Sequence, residues 1–291
     1  MVKQKQGRNI ALHKKKHHRI NWHHAAYETL KIELNEYEEY LEFYEEYHLG
    51  KSKESLRMDV LVIQKPTDLH ISKRIAENFQ RYNIIEYKSP SDHLSVDDYY
   101  KVMAYGGIFR SNTGRVNEIE NQDITLTFIV SKFPRKLKKE LESREISLVK
   151  RAPGIYDVSK DVFTSQIIIT RQLDKEENLW LRCLDNQLKE KELYKRLEEE
   201  YKQHKNETRY AAPMNAIIWS NLEQEGERNI MCEALYDLFA DELVERETRG
   251  IKIGEEQEKR NLAKNLLDIL SDEVIAERVG LDIEEVRAMR S

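Results

Sequence analysis

Residues 83–90 read Asn-Ile-Ile-Glu-Tyr-Lys-Ser-Pro, and residues 56–63 read Leu-Arg-Met-Asp-Val-Leu-Val-Ile. Both runs are short, rich in β-branched residues and bounded by turn-forming residues, which predicts two β-strands. Side chains alternate along a strand, so Glu86 and Lys88 should share one face. If the strand that carries Asp59 is the neighbour, two carboxylates and an ammonium converge at one point of the sheet. Such a set is suited to holding a divalent metal ion and a water molecule against a phosphate.

The tripeptide Glu-Tyr-Lys is not informative by itself, because it recurs at residues 200–202 inside a highly charged helical pattern. A simpler alternative for the first copy is that Glu86 and Lys88 are solvated neighbours on an edge strand. The first copy differs from the second in its context. An apolar strand precedes it, a Ser-Pro stop follows it, and the preceding strand carries Asp59.

The rest of the first half predicts further strands and helices in an order typical of an α/β protein. A strand, a helix and a strand over residues 83–130 imply a right-handed crossover and a parallel pair. The expected fold class is therefore α/β with a mixed β-sheet flanked by helices. One predicted helix begins at residue 25, and two more span residues 71–82 and 96–109. The other predicted strands lie at residues 43–49, 124–130, 147–150, 154–158 and 166–170.

The chain after residue 178 is predicted to be α-helical, with helical spacing over 179–197 and 229–247 and a helix pair at the C-terminus. Gly280 marks the turn of that pair and Asp282 the N-cap of its second helix. Acidic residues crowd the start of this second helix, where DNA would repel them. We therefore expect the pair to be a packing or oligomer element, for example in a homodimer, and not a base-reading module.

Composition excludes several classes of protein. Of the 291 residues, 40% are hydrophobic and 35% charged, and no apolar run approaches the roughly 20 residues of a membrane span. The N-terminus is basic but no apolar segment of a secretory signal follows it. Two cysteines do not form a disulfide framework, so a cytoplasmic location is expected.

Charge is distributed unevenly along the chain. Residues 1–24 contain seven basic residues and no acidic ones, so the rest carries a net charge of −12 while the whole chain carries −5. A basic arm, expected to be disordered, on an acidic body suggests a polyanionic partner such as nucleic acid. The alternative is a leader that serves only solubility. The basic residues expected to contact nucleic acid are Lys14, Lys15, Lys16 and Arg19 of this arm, and Lys101 of the 96–109 helix.

The combination of Met58-Asp59, Glu86-Tyr87-Lys88 and a helix rich in Tyr and Lys resembles the PD-(D/E)XK nuclease superfamily. It is more closely similar to the bacterial branch of transposon-associated or recombination-promoting nucleases. Three further stretches share this resemblance, at residues 153–156, 231–235 and 275–281. The similarity thus covers most of the chain from residue 25, with short and degenerate motifs. Met58 departs from the pattern, because it replaces the proline before this aspartate, at a position that varies widely in the superfamily.

The resemblance implies a restriction-endonuclease-like fold over residues 25–178, followed by a helical region (179–254) and a helix-turn-helix-like pair (255–291). It also implies a metal-dependent DNA endonuclease, with Asp59, Glu86 and the main-chain carbonyl of Tyr87 as ligands of Mg²⁺ or Mn²⁺. Lys88 would position or activate the attacking water. An acid of the first helix often joins such sites, and Glu33 and Glu36 are the candidates here.

Two other classes of function remain open. One is a catalytically idle nucleic-acid-binding or regulatory protein on a nuclease-like scaffold, against which the intact Asp59, Glu86 and Lys88 argue. The other is a helical assembly protein, suggested by the helical second half but opposed by the strand-rich first half. No serine-histidine-aspartate order, phosphate-binding glycine loop or cysteine nucleophile supports another class of enzyme.

Overall fold

The structure is a computed structural model, and it describes residues 20–45, 47–49, 56–58 and 61–222, together with residues 235, 239, 259, 262–263, 266–267 and 271–290. The chain divides into two compact units, residues 1–235 and 236–291. Most of the predicted helix at 229–247 lies outside the described residues.

The described residues of the first unit contain nine β-strands. They are β1 (Glu42–Tyr44), β2 (Tyr47–Leu49), β3 (Leu56–Met58), β4 (Leu61–Gln64), β5 (Tyr82–Tyr87), β6 (Ile124–Val130), β7 (Leu148–Ala152), β8 (Ile155–Val158) and β9 (Thr164–Ile169). Seven of them form one sheet in the order β1-β4-β5-β6-β9-β8-β7, and β2 and β3 form a separate pair. The pairs β5–β6 and β6–β9 are parallel, and the other pairs are antiparallel.

In the described part of the chain, helices flank this sheet and follow it. They are α1 (Trp22–Glu33), α2 (Val96–Ser111), α3 (Arg135–Ser143), α4 (Leu179–Cys183), α5 (Lys191–His204) and α6 (Ala211–Asn221), and in the second unit α7 (Asp272–Val279) and α8 (Ile283–Arg290). Helix α2 connects the parallel strands β5 and β6, as predicted. The mixed α/β class with a helical C-terminal region is therefore confirmed.

Strand β6 lies at the centre of the sheet and is buried along its whole length. One face of the sheet is apolar: side chains of β5, β6 and β9 pack there against α2 and α3 in a single core. Tyr99 of α2 stacks on Phe128 of β6 with ring centroids 5.1 Å apart. Burial of this face stabilises the first unit, since apolar area removed from water dominates folding free energy.

The opposite face of the same strands carries a row of buried polar side chains. Asn83, Thr125, Thr127 and Gln166 are each at most 1% exposed. Three of them donate to the backbone of the preceding connector: Gln166 Nε2 to Ile75 O at 2.8 Å, Asn83 Nδ2 to Gln80 O at 2.8 Å, and Thr125 Oγ1 to Asn78 O at 3.0 Å. Thr127 Oγ1 accepts from Gln166 Nε2 at 3.0 Å.

These bonds correct the prediction of a helix over residues 71–82. The segment forms a series of turns instead. Side chains of the sheet satisfy several of its backbone groups, and turn hydrogen bonds such as Ala76 N to Lys73 O at 2.9 Å satisfy others, so it needs no continuous helical ladder. The buried polar row in turn requires this irregular backbone, because buried amides and hydroxyls without partners are costly.

The predicted single strands over 43–49 and 56–63 are each divided in two. Tyr44 pairs with Val62 in the large sheet, whereas Tyr47 pairs with Met58 in the small one. Because the two halves of each predicted strand belong to different sheets, the alternation of side chains along one half does not assign a face in the other.

The predicted continuous helix over 179–197 is also interrupted, between Cys183 and Lys191. Asp185 Oδ1 accepts hydrogen bonds from the backbone N–H groups of Asn186 at 2.7 Å and Gln187 at 3.2 Å. The same carboxylate receives the guanidinium of Arg171 at 2.5 and 2.6 Å. Local side-chain-to-backbone bonds of this kind compete with a helix. The helical spacing of the apolar residues did not reveal this competition.

Helices α4 to α6 pack within the first unit, where α1 contacts α4 and α6. The helical region predicted from residue 179 thus shares a unit with the sheet as far as it is described. Helix α1 begins at Trp22 after the N-cap Asn21, whose side chain accepts from His24 N. The expected disordered arm, residues 1–24, therefore overlaps the start of α1, while residues 1–19 lie outside the described residues.

The second unit contains the helix pair predicted from the sequence. Helix α7 ends at Gly280, which has a φ of +72°, and Asp282 Oδ1 accepts from Glu284 N at 2.8 Å as the predicted cap of α8. Ala263, Ile275, Val279 and Val286 form its core. The expected role in oligomer formation stays a prediction. Across the parts of the chain that the structure describes, no helix has the length and apolar character needed to cross a membrane.

The turn between β7 and β8 requires glycine, and its substitution gives the first testable prediction. Gly154 has a φ of +73°, and a Cβ would lie 2.7–2.8 Å from backbone atoms of Leu173, Gln172 and Ile169. We expect Gly154→Ala to lower the free energy of unfolding by more than about 2 kcal/mol. Gly107→Ala is the matched control, because a Cβ there meets nothing within 4 Å in the middle of α2. This control should raise the free energy of unfolding, measured by urea titration, by roughly 0.5–1 kcal/mol. Equal effects of the two changes would contradict this account.

Candidate active site

Glu86 and Lys88 meet at the carboxyl end of β5. Glu86 is 3% exposed, and Lys88 Nζ lies 2.9 Å from Glu86 Oε1. The two side chains share the face covered by α2, as the alternation along β5 predicts. A carboxylate this deeply buried needs a charged or hydrogen-bonding partner, and the ammonium provides one. The alternative of two solvated neighbours on an edge strand is therefore wrong: β5 lies between β4 and β6.

Asp98 is a third charged member of this cluster. Lys88 Nζ lies 2.8 Å from Asp98 Oδ1. Asp98 is the third residue of α2, and its Oδ2 accepts from Ser95 N at 3.0 Å while Asp98 N donates to Ser95 Oγ at 3.0 Å. This reciprocal capping box fixes the carboxylate at the start of the helix. The ammonium of Lys88 is thus held between a strand residue and a helix residue.

The cluster lies where two parallel strands end. Lys88 N donates to Ile129 O at 2.9 Å, which places Lys88 beside the end of β6. Ser131, just after β6, donates from Oγ to Pro90 O at 3.3 Å. The loop after β5 and the loop after β6 therefore meet at this edge, next to the first turn of α2.

The charges of the cluster stabilise one another. Partial burial acts to lower the pKa of Lys88, but hydrogen bonds to Asp98 and Glu86 outweigh it, so this pKa lies above its ordinary value of 10.5. Burial acts to raise the pKa of Asp98, whereas bonds from Lys88 and Ser95 lower it, and it falls to about 2. Lys88 is consequently an ammonium at neutral pH in this arrangement. It is equipped to donate hydrogen bonds rather than to accept a proton.

Asp59 lies outside the described residues. Strand β4, which begins two residues later in the sequence, pairs antiparallel with β5, with Leu61 opposite Ile85. The expected adjacency of the two strands is thus present at β4.

Tyr87 belongs to the opposite face of β5. Its side chain is buried, and its ring forms an edge contact with His23 at 6.4 Å between centroids. Burial, reinforced by the negative charges of Asp185 and Asp92, raises the pKa of Tyr87 well above 10. The phenol is therefore neutral, and the expected metal ligand at this position stays the main-chain carbonyl.

The two candidate acids of the first helix differ in environment. Glu33, at the end of α1, is 7% exposed; its oxygens accept from Lys73 Nζ at 2.5 Å and from Leu181 N at 2.9 Å. Burial raises the pKa of Glu33 although Lys73 opposes this. These contacts tie Glu33 to α4, and Lys88 is not among them. Glu36 lies outside α1; it is exposed, in a short 3₁₀ helix at Asn35–Tyr40.

Of the cations expected to contact nucleic acid, Lys101 is described. It is exposed on α2, with Nζ 5.8 Å from the ring centroid of Tyr105. Lys14, Lys15, Lys16 and Arg19 lie outside the described residues.

The donor set fits a hard divalent cation in kind, since Glu86 and Asp98 present carboxylate oxygens beside a partly exposed lysine. Within the described ranges, no group of three or more His, Cys, Asp or Glu side chains is arranged to hold a metal ion. A complete site requires a further acid, and Asp59 is the candidate from the sequence.

Asp98 was missed as a site residue in the sequence. Acids in the first turn of a helix are favoured by the helix dipole and by capping. This explanation accounted for both Asp97 and Asp98 without a role in the site. The signal was the Ser95–Asp98 spacing of a capping box. That spacing fixes which of the two acids turns back toward the preceding loop.

Comparison with known proteins identifies no relative. No protein-family model, curated protein or solved structure matches this chain.

The low pKa of Asp98 yields a prediction of pH-dependent stability. Because the folded pKa of about 2 lies below the ordinary 3.8, the carboxylate stabilises the fold above pH 4, and this contribution is lost as the pH falls toward 2. Asp98→Asn should therefore lower the free energy of unfolding at pH 7 by about 1–2 kcal/mol, and by much less near pH 2. Urea titrations across this range measure the difference.

The matched control for this change is Asp97→Asn. Asp97 occupies the same helical turn but is exposed, so its isosteric substitution should have a smaller effect at pH 7. A loss that stays constant between pH 7 and pH 2 for Asp98→Asn would show that the Lys88 pair does not stabilise the fold.

Proposed function

We propose that this protein is a metal-dependent phosphodiester hydrolase that cleaves DNA, a nuclease of the PD-(D/E)XK type. The observation that carries the proposal is the buried carboxylate of Glu86, held 2.9 Å from the ammonium of Lys88 at the edge where β5 and β6 end. Asp59, Glu86 and the main-chain carbonyl of Tyr87 would bind Mg²⁺ or Mn²⁺. A link to recombination or mobile elements, and a cytoplasmic location, belong to the same proposal.

Burial of Glu86 is difficult to explain by stability alone. Buried ion pairs are weak stabilisers, because desolvation of both charges offsets their attraction. An apolar residue at position 86 would extend the core that Ile84 and Phe128 form on the same face. The presence of charges at the open end of the strand is better explained by chemistry that uses them.

The proposed reaction needs three contributions from the protein. A bound divalent cation would neutralise charge on the scissile phosphate and acidify a water molecule. Glu86 and Asp59 would hold this ion with oxygen ligands, and the core beneath Glu86 would exclude bulk water from it. Lys88 would donate hydrogen bonds to the attacking water or to a phosphate oxygen. Asp98 would keep the ammonium directed toward Glu86 during this step.

A second candidate function is a catalytically idle, nucleic-acid-binding scaffold. The observation that favours it is the satisfied state of Lys88, whose ammonium contacts both Glu86 and Asp98. Such a cluster also serves as a purely structural tie between β5 and α2. Cleavage assays distinguish the two functions, because the scaffold would bind DNA without hydrolysing it.

The proposal is tested by incubating plasmid and single-stranded DNA with the full chain, with and without Mn²⁺. Glu86→Gln and Asp59→Asn should abolish both Mn²⁺ binding, measured by calorimetry, and cleavage. Lys88→Met should retain Mn²⁺ binding but lose about 100-fold or more of the cleavage rate, since the lysine acts on the water.

The chain provides its own matched controls in the second Glu-Tyr-Lys, on α5. Glu200→Gln and Lys202→Met make the same chemical changes on a solvent-facing helix, where Lys202 pairs with Glu198. Both variants should cleave like the unmodified protein. Cleavage that persists in EDTA, or in Glu86→Gln, would contradict the proposed site, and binding without any cleavage would favour the scaffold.

A further inference from the structure

A compact basic surface lies at the start of α3. Residues 132–139 contain five cationic residues and no acidic one, in a chain with net charge −5. Lys138 forms an ion pair with Glu142 at 2.7 Å. The other four are exposed, and none has a salt-bridge partner in the described part of the chain. We call these four the basic surface: Lys132, Arg135, Lys136 and Lys139.

The basic surface belongs to the same edge of the sheet as the Glu86–Lys88 cluster. Lys88 N binds Ile129 O of β6, and Ser131 binds the loop after β5. Lys132 directly follows Ser131, and α3 begins three residues later. The cations that follow β6 and the cluster at the end of β5 therefore lie at the same edge of the sheet.

The arrangement of these cations opposes the stability of α3. The first turn of the helix contains no acid, and no side chain caps it, so positive charges face the positive end of the helix dipole. Arg135 and Lys139 are also like charges four residues apart, and Lys136 and Lys139 are three apart. Helix α2 at the same edge has the favourable arrangement, with Asp97 and Asp98 in its first turn.

We propose that the basic surface binds the phosphate backbone of duplex DNA and guides it to the Glu86–Lys88 cluster. This inference rests on the proposed nuclease function, and it names the surface that holds the substrate. Exposed cations without acid partners, beside uncapped backbone N–H groups of a helix start, are complementary to phosphates. A bound phosphate would also remove the repulsion that these charges cause in the free protein.

The chemistry of the basic surface favours a duplex over a single strand. Proteins that bind single-stranded nucleic acid offer exposed aromatic rings on which bases stack. The one aromatic residue in this segment, Phe133, is half-buried in an edge contact with Tyr156 at 5.2 Å between ring centroids. The groups available to the partner are therefore three ammoniums and one guanidinium, which can contact the phosphates of a duplex without an exposed aromatic platform for unpaired bases.

The test is a triple variant, Arg135→Gln, Lys136→Gln and Lys139→Gln, in the full chain. Binding is measured by fluorescence anisotropy with a labelled DNA duplex in EDTA, over a series of salt concentrations. We expect the affinity to fall at least about tenfold at 0.1 M salt, and the slope of log affinity against log salt to decrease by about 2–3. The melting temperature should stay the same or rise, because unfavourable charges are removed.

A matched control removes three exposed lysines elsewhere, as Lys189→Gln, Lys195→Gln and Lys205→Gln. Its affinity should stay within about twofold of the unmodified protein, although the change in net charge is identical. Equal losses in both triple variants, no loss in the first, or no duplex binding by the unmodified protein would overturn the inference. Stronger binding to a single-stranded RNA probe than to the duplex would also overturn it.

Failure of the surface and failure of the proposed reaction give different results. If Mn²⁺-dependent cleavage depends on Glu86 but the first triple variant binds normally, the reaction stands and the surface is wrong. If the triple variant loses binding but the unmodified protein never cleaves DNA, the surface stands and the hydrolytic proposal is wrong.

Discussion

The position of the Lys88 ammonium between Glu86 and Asp98 constrains this edge of the molecule more than any other contact. It joins the end of β5 to the first turn of α2 through bonds of 2.9 and 2.8 Å. Because Glu86 is buried, loss of the ammonium would leave an unpaired charge at the rim of the apolar core. Asp98 cannot move independently, since the capping box with Ser95 sets the start of α2. The contacts that fix the geometry of the candidate site are therefore the same contacts that dock α2 on the sheet.

The sheet below this contact separates two kinds of packing. The α2 face is a conventional apolar core, and it could be predicted from the runs of β-branched residues. The other face buries Asn83, Thr125 and Gln166, which bind the backbone of the connector before β5. A buried row of amides and hydroxyls is stable when its partners are in place. This row makes the connector, despite its turns, part of the rigid support of β5.

The sequence allowed prediction of features that repeat with the period of a strand or a helix. The strands at 83–87 and 124–130, the α2 crossover and the α7–α8 pair all have such periods. Features decided by one side chain were not predictable: Asp185 interrupts the expected helix at 179–197, and Asp98 joins the site from a position that capping alone explained. The convergence of Asp59 with Glu86 and Lys88 stays a prediction, because Asp59 lies outside the described residues.

The proposed chemistry also explains why two helices at one edge begin with opposite charges. In the proposed function, acids near Glu86 would hold a metal ion and the lysine, yet acids repel the phosphates of a substrate, and the body of the protein is acidic. A cationic helix start beside the carboxylates resolves this conflict locally, since ionic attraction is effective over about one Debye length, roughly 10 Å at 0.1 M salt. Acids at the start of α2 interact favourably with the dipole of that helix, whereas cations at the start of α3 interact unfavourably with the dipole of α3. That asymmetry is the expected result if α2 is built to position Lys88 and α3 to receive a polyanion.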